Sequence, residues 1–354
     1  MKFLLFCGAG NSLSGFEIQT RFSDSTEFKN NVYILTFKSE DEAKKAVSQL
    51  GSAIKMAVLL DGVTCTPKSI AKQITHKNFS TTTVSAGKER LDSREIKDLL
   101  AKGRFLDAQD SYGLSPIIIA KHKVDEFFLD FDTNQVWQTI WVHDFKHWIK
   151  KDRFMPFVNA KAGMLPPKIA RSMINLAPSD SWGNGKVLVD PFCGSGRVVI
   201  EGLELGFNSY GTDVSASQSQ EASENLAHMG YSKQLIECLD STHLSKKFKN
   251  KVDLIVTEPF MGKTNLRPDK IQYLVPGLKK LYLGCLKDWL SCLKSKGVVV
   301  MVFPVFNDGK KDYKTSDIID DKLKLSYNQL NQGILYSRPD AYVRREIIVL
   351  QKIN

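Results

Sequence analysis

The chain has no paired cysteines, no complete P-loop string (glycine, four residues, then glycine-lysine-serine/threonine) and no apolar run long enough to cross a bilayer. Its six cysteines (Cys7, Cys65, Cys193, Cys238, Cys285 and Cys292) are scattered and form no C-x-x-C pair. That scatter argues against a zinc site and a disulfide framework, so no metal is expected and a reducing compartment is favoured. The apolar run Phe3–Cys7 is too short for a secretory signal, and Gly8 ends it. Internal repeats and low-complexity tracts are also lacking. What is present is ordinary for a globular protein: 354 residues, 42% hydrophobic and 25% charged, enough for two or three cores. The net charge of +10 permits a nucleic-acid partner without requiring one. The expectation is a cytoplasmic enzyme of more than one domain with no membrane segment.

The most informative stretch is Val187 to Gly196, V-L-V-D-P-F-C-G-S-G. A β-branched apolar run ends at Asp190, drops into a Pro/Gly-punctuated loop and leads to an amphipathic segment, Val198–Leu205. Strand, tight turn and helix start together cradle a small polar ligand against backbone N–H groups. A dinucleotide fingerprint needs a third glycine where Val199 stands, so that reading fails. The string Asp190-Pro191-Phe192-Cys193-Gly194-Ser195-Gly196 resembles motif I of S-adenosylmethionine (SAM) dependent methyltransferases.

Two further acids close successive strand-like runs. Asp213 ends Ser209–Asp213, about 23 residues beyond Asp190, and Asp240 follows Leu235–Leu239. In a doubly wound sheet the carboxyl ends of the strands line the ligand crevice. Asp213 is then placed to accept ribose hydroxyls and Asp240 to accept from an adenine amine. Singly, each acid is more often a cap or turn residue. Three in sequence favour an adenosyl ligand without phosphate.

A fourth run, Asp253–Thr257, precedes Glu258-Pro259-Phe260-Met261-Gly262. Methylating a base amine requires that a side-chain acceptor and a backbone carbonyl take the amine hydrogens, which frees the nitrogen lone pair. Glu258 reads as that acceptor, Pro259 as the residue that fixes the carbonyl, and Phe260 as a stacking platform for the base. The bland alternative is an acid capping a turn beside a buried Phe. Downstream, Leu278–Leu293 has the pattern of an amphipathic helix and Val298–Phe303 of a buried strand. Gly333–Ser337 and Tyr342–Leu350 read as a closing hairpin turned at Arg338-Pro339-Asp340, with Arg338, Arg344 and Arg345 as surface charges.

Upstream, residues 1–75 alternate strand-like runs (Lys2–Cys7, Val32–Phe37, Ala57–Leu60) with a helix, Glu40–Leu50. Residues 76–145 read as a second unit, with a strand at Ser80–Ser85, a helix at Ser93–Lys102 and a strand around Ile117–Ala120. Between Lys146 and Arg171 seven Lys/Arg face one acid, Asp152, with Trp148, Phe154 and Phe157 interleaved. Such a connector either follows a phosphate backbone or is a solvated linker.

Asp152-Arg-Phe-Met-Pro156 and Ala162-Gly-Met-Leu-Pro-Pro-Lys168, taken with motif I, Tyr210-Gly-Thr-Asp213, Leu335-Tyr-Ser-Arg-Pro339 and Val343-Arg-Arg-Glu-Ile347, resemble THUMP-domain tRNA guanine-N2 methyltransferases. The resemblance covers the C-terminal two-thirds. It implies an α/β chain with a ferredoxin-like unit (1–75), a THUMP-like unit gripping tRNA (76–145), a basic connector (146–178) and a Rossmann-like methyltransferase domain (179–354) with a mostly parallel seven-stranded sheet. It also implies that the segment from Met164 through Pro166 to Pro167 encloses the methionine part of SAM, and it leaves room for an accessory subunit. In that family the motif IV string is Asp-Pro-Pro-Tyr-Gly, and Glu258-Pro-Phe-Met-Gly262 departs at three positions. The expected activity is methylation of guanine N2 in tRNA. The alternatives are a DNA adenine or cytosine amino-methyltransferase and a non-catalytic tRNA-binding relative.

Overall fold

The computed structural model describes residues 1–8, 12–85, 90–100, 102–108, 110–158, 164–262, 267–337 and 343–353. The chain divides into two compact units: Met1–Gly10 with Phe22–His147, and Asn11–Arg21 with Trp148–Asn354.

The first unit is built on one eight-stranded sheet. Its strands are β1 (Lys2–Cys7), β2 (Thr26–Lys29), β3 (Val32–Thr36), β4 (Ala53–Leu59), β5 (Asn78–Thr83), β6 (Arg104–Phe105), β7 (Val124–Asp130) and β8 (Gln135–Val142). They lie in the order β2-β3-β1-β4-β8-β7-β5-β6. Helix α1 (Ser12–Arg21) groups with the second unit, while α2 (Glu40–Ser48), α3 (Pro67–Ala71), α4 (Ser93–Asp98) and α5 (Pro116–His122) belong to the first. The expected strand around Ile117–Ala120 is α5. Ser115 caps it by accepting from Ile118 N, and Pro116 occupies its first turn, so capping outweighs the β-branched Ile run. One core lies under α3 and α4 (Ile70, Phe79, Ile96, Phe127) and another groups Leu4, Phe6, Phe128 and Trp137.

In the second unit α6 (Phe145–Arg153) and α7 (Pro167–Asn175) precede β9 (Val187–Asp190), α8 (Arg197–Glu204), β10 (Asn208–Asp213) and α9 (Ala216–His228). There follow β11 (Ile236–Cys238), α10 (Ser245–Phe248), β12 (Val252–Thr257), α11 (Ile271–Cys292), β13 (Leu293–Asn307), β14 (Asp312–Lys314), β15 (Tyr327–Gln329), β16 (Ile334–Tyr336) and β17 (Val343–Lys352). The strand path is β11-β10-β9-β12-β13-β17-β15, with β14 beside β13 and β16 beside β17. The first five strands are parallel, and β17 is antiparallel to β13, β15 and β16. This is the expected Rossmann-like sheet with an antiparallel closing element, but it has nine strands and not seven, because β14 and β16 add short antiparallel pairings to β13 and β17. The turn Arg338–Asp340 lies outside the described residues.

β12 and β13 read as continuous apolar runs because both sheet faces are covered. On one side α11 brings Leu278, Tyr282, Leu286 and Trp289 against Ile255, Val299, Met301 and Phe303. On the other, α7 brings Ile169, Ala170, Met173 and Ile174 against Leu188, Leu254, Val256 and Val300. Helix α1 is fixed to α7 within this unit: the buried Glu17 carboxylate accepts from Ser172 Oγ (2.8 Å) and Asn175 Nδ2 (2.6 Å).

Candidate active site

The carboxyl ends of the parallel strands converge on a cleft of about 460 Å³. Pro156, Phe157, Met164 and Leu165 of the connector line it, together with Asp190, Phe192, Gly194, Ser195 and Arg197 around the glycine loop. Gln218 and Glu221 of α9 and Glu258 complete the lining.

The glycine loop between β9 and α8 turns back tightly, with Gly196 N donating to Cys193 O (2.7 Å) and Cys193 N to Thr212 O (2.9 Å). Gly194 and Gly196 adopt φ of +49° and +81°, a region that side chains rarely enter. A Cβ on Gly196 would also lie 2.9 Å from Leu226 Cδ1, so glycine lets α9 pack against the loop.

Asp190 is buried at the floor of the cleft. Its Oδ1 accepts from Thr257 Oγ1 (2.7 Å) and Phe192 N (3.1 Å). Burial pushes its carboxyl up to about 7; those two donors pull against the shift, and Asp213 and Glu258 add to it. A buried, half-ionised acid beside a glycine loop fits a cationic polar ligand that can supply the missing counter-charge. The methionine ammonium and sulfonium of SAM are such groups.

Asp213 braces the loop, with Oδ2 accepting from Gly194 N (3.0 Å) and Oδ1 from Ser215 N (2.9 Å). It does not line the cleft, although each oxygen keeps a second lone pair. Asp240 caps a short 3-10 turn by accepting from Thr242 N and Oγ1, both at 2.8 Å. These bonds hold its carboxyl below the usual range. It is exposed and lies outside the cleft lining. Of the sequence-derived candidates, then, Met164, Asp190, Phe192, Gly194 and Glu258 share the cleft. Pro191 and Gly196 are buried in the loop, Pro166 is the N-cap of α7, and Ala162 and Gly163 lie outside the described residues.

At the end of β12, Glu258 is paired through Oε1 with Nε of Arg345 on β17. Burial raises its carboxyl and Arg345 opposes the rise. Arg345 is therefore not the surface charge its sequence context suggests. It lies in register with Pro304 of β13 and Tyr336 of β16, so strands cover it on both sides. Pro259 is buried, whereas Phe260 is 55% exposed and its carbonyl accepts from Tyr282 Oη (2.7 Å) on α11. Met261, where an aromatic was expected, packs into the α7-side core instead.

The connector is held to the cleft by residues that sequence reading missed. Asn225 of α9 accepts from Phe157 N (3.0 Å) and donates to Phe157 O (3.1 Å) and Ser195 O (3.0 Å). Arg197 donates to Lys151 O (2.6 Å) and Asp152 O (3.1 Å). Lys151 and Arg171, two of the seven connector cations, are buried in ion pairs with Glu201 and Glu204 of α8. For Arg197 a signal existed, a cation directly after the second loop glycine. For Asn225 and Arg345 none did.

The sheet order, glycine loop and strand-end acids define a class I, SAM-dependent methyltransferase domain. Residues 158–323 match the family UPF0020, RMKL-like, methyltransferase domain. The chain is 32% identical over 148 residues to the tRNA (guanine(10)-N2)-dimethyltransferase of Methanothermobacter thermautotrophicus, covering 41% of this chain and 40% of that protein. It is 31% identical over 120 residues to the enzyme of the same name from Pyrococcus abyssi, covering 33% and 35%. The matched region thus spans two-fifths or less of the length of these two relatives. The fold is similar to that of TrmN from Thermus thermophilus, with a TM-score of 0.56, 16% identity and 100% of both chains covered. Among the described residues no helix is long and apolar enough to cross a membrane.

Proposed function

We propose that this chain transfers the methyl of SAM to the exocyclic N2 of a guanosine in tRNA. The observation that carries the reading is Glu258, a half-buried, ion-paired carboxylate at the end of β12, in the same cleft as Asp190 and the glycine loop. An ionised carboxylate only accepts hydrogen bonds. Guanine presents adjacent donors, N1–H and the N2 amine. Adenine and cytosine place a bare ring nitrogen beside their amine, and that nitrogen would face the carboxylate. The names of the curated relatives support the same substrate.

SAM, when bound, supplies the electrophilic methyl. Asp190 orients it, Glu258 accepts from the guanine edge, and the exposed Phe260 stacks on the extruded base. Bound there, SAM would supply a methyl to N2, and the proton that leaves N2 would pass to water. Residues 1–75 and 76–145 would serve as ferredoxin-like and THUMP-like units that hold the tRNA. Residues 146–178 would connect them to the methyltransferase domain at 179–354. The work would be cytoplasmic, with an accessory subunit compatible.

The test is transfer of labelled methyl from SAM to unmodified tRNA, followed by nucleoside mass spectrometry. N2-methylguanosine or N2,N2-dimethylguanosine is the expected product. Label in adenosine or cytidine, or none despite SAM binding, would sink the reading.

A further inference from the structure

We propose that Arg345 is the positioning residue for motif IV: it fixes Glu258 as an acceptor-only carboxylate and thereby selects guanine. This rests on the guanine-N2 reading above.

Glu258 and Arg345 are 87 positions apart in sequence, yet their side chains are only 12% and 17% exposed and meet at the cleft. A carboxylate in such a place needs a reason to stay ionised. Burial raises Glu258, and among the described residues the charged or titratable groups with an electrostatic effect on it or from it are Asp190 on β9, Arg345 on β17 and Tyr282 on α11. Asp190 is another acid, Tyr282 is a phenol raised far above its ordinary value by burial, and Arg345 alone of the three is a cation. The guanidinium is carried by β17, a strand paired on both edges, so its position is set by sheet register and not by a loop.

Arg345 engages Oε1, and Oε2 accepts no hydrogen bond among the described residues. The carboxylate therefore keeps Oε2 and a second lone pair on Oε1 for two adjacent donors, the pattern of the guanine edge. Without Arg345 a protonated Glu258 would present one donor and one acceptor, the pattern that adenine and cytosine answer. The longer acid is consistent with this arrangement, because glutamate adds one methylene of reach over the aspartate of related motifs.

The experiment compares wild type, R345Q and R345K for methyl transfer to unmodified tRNA between pH 6 and 9, with SAM affinity measured by calorimetry. R345Q is expected to lose at least tenfold in kcat at pH 7 and to regain much of it toward pH 9. R345K should recover part of the loss at pH 7, and the SAM Kd should stay within about threefold in both. A loss equal at every pH, no loss at all, or a parallel loss of SAM binding would overturn the proposal. A second readout does not depend on tRNA: carbon NMR titration of Glu258, assigned with E258Q, should move upward in R345Q. An unmoved titration overturns the Arg345 proposal alone, whereas wild type that fails to methylate tRNA while the titration still moves overturns the guanine-N2 reading and the selection of guanine with it, and leaves Arg345 as the residue that keeps Glu258 ionised.

Discussion

Asn225 holds both backbone polar groups of Phe157, accepting from its N–H at 3.0 Å and donating to its carbonyl at 3.1 Å. The same amide donates to Ser195 O, so one buried side chain ties the connector to the glycine loop at the cleft.

Asn225→Ala is therefore expected to loosen the cleft before it unfolds the domain. Three hydrogen bonds of a buried amide are lost, at about 1–3 kcal/mol. The SAM Kd should rise about tenfold with a modest fall in melting temperature, checked by calorimetry and thermal unfolding. Unchanged affinity would show that the connector wall does not contribute to the cofactor site.

Asp190 gives a pH dependence with a fixed sign. Its carboxyl titrates at about 7 when folded against an ordinary value of 3.8, so the folded state holds the extra proton between those limits. Stability should then fall as pH rises from about 4 through about 7, by about 4 kcal/mol at most from this group. Asp190→Asn should remove that part of the slope in denaturant titrations. A cationic cofactor favours the ionised form, so SAM affinity should rise through pH 7 with release of a proton. Calorimetry in buffers of different ionisation enthalpy measures that proton, and Asp190→Asn should abolish it.

Gly196→Ala combines a left-handed backbone with a Cβ 2.9 Å from Leu226 Cδ1. Destabilisation of about 1–3 kcal/mol is expected. Denaturant unfolding would show it as a lower midpoint with an unchanged slope.

Phe260→Ala should leave stability nearly untouched, because the ring is 55% exposed. If the ring stacks on the target base, its loss costs about 1–3 kcal/mol of RNA binding or transition-state alignment. Steady-state kinetics with tRNA should show a fall of tenfold or more in kcat/KM at constant SAM affinity. Equal kinetics would move the stacking role elsewhere, and the 72% exposed Tyr273 is the next aromatic to substitute.

What the sequence determined alone is local. Hydrophobic runs leading to acids announced β9 and β12, because a strand buried on both faces must be continuously apolar and the chain must turn at its end, whereas the polar β10 was legible from its spacing and its closing Asp213. The loop glycines were equally legible, since their backbone conformation admits almost no other residue. Capping was legible in principle but was overlooked at Ser115-Pro116, where it turned an apparent Ile strand into α5.

The tertiary structure decided what depends on residues far apart in the chain. Sheet register brings Arg345 to Glu258, and helix packing brings Asn225 to Phe157, across 87 and 68 positions. It also drew two cations of the basic connector, Lys151 and Arg171, inward to Glu201, and gave the exposed platform to Phe260 while packing the half-buried Met261 against the core. Composition reads charge and period reads faces, but neither encodes which strands become neighbours. That is set only when the sheet closes and each buried charge must find its partner.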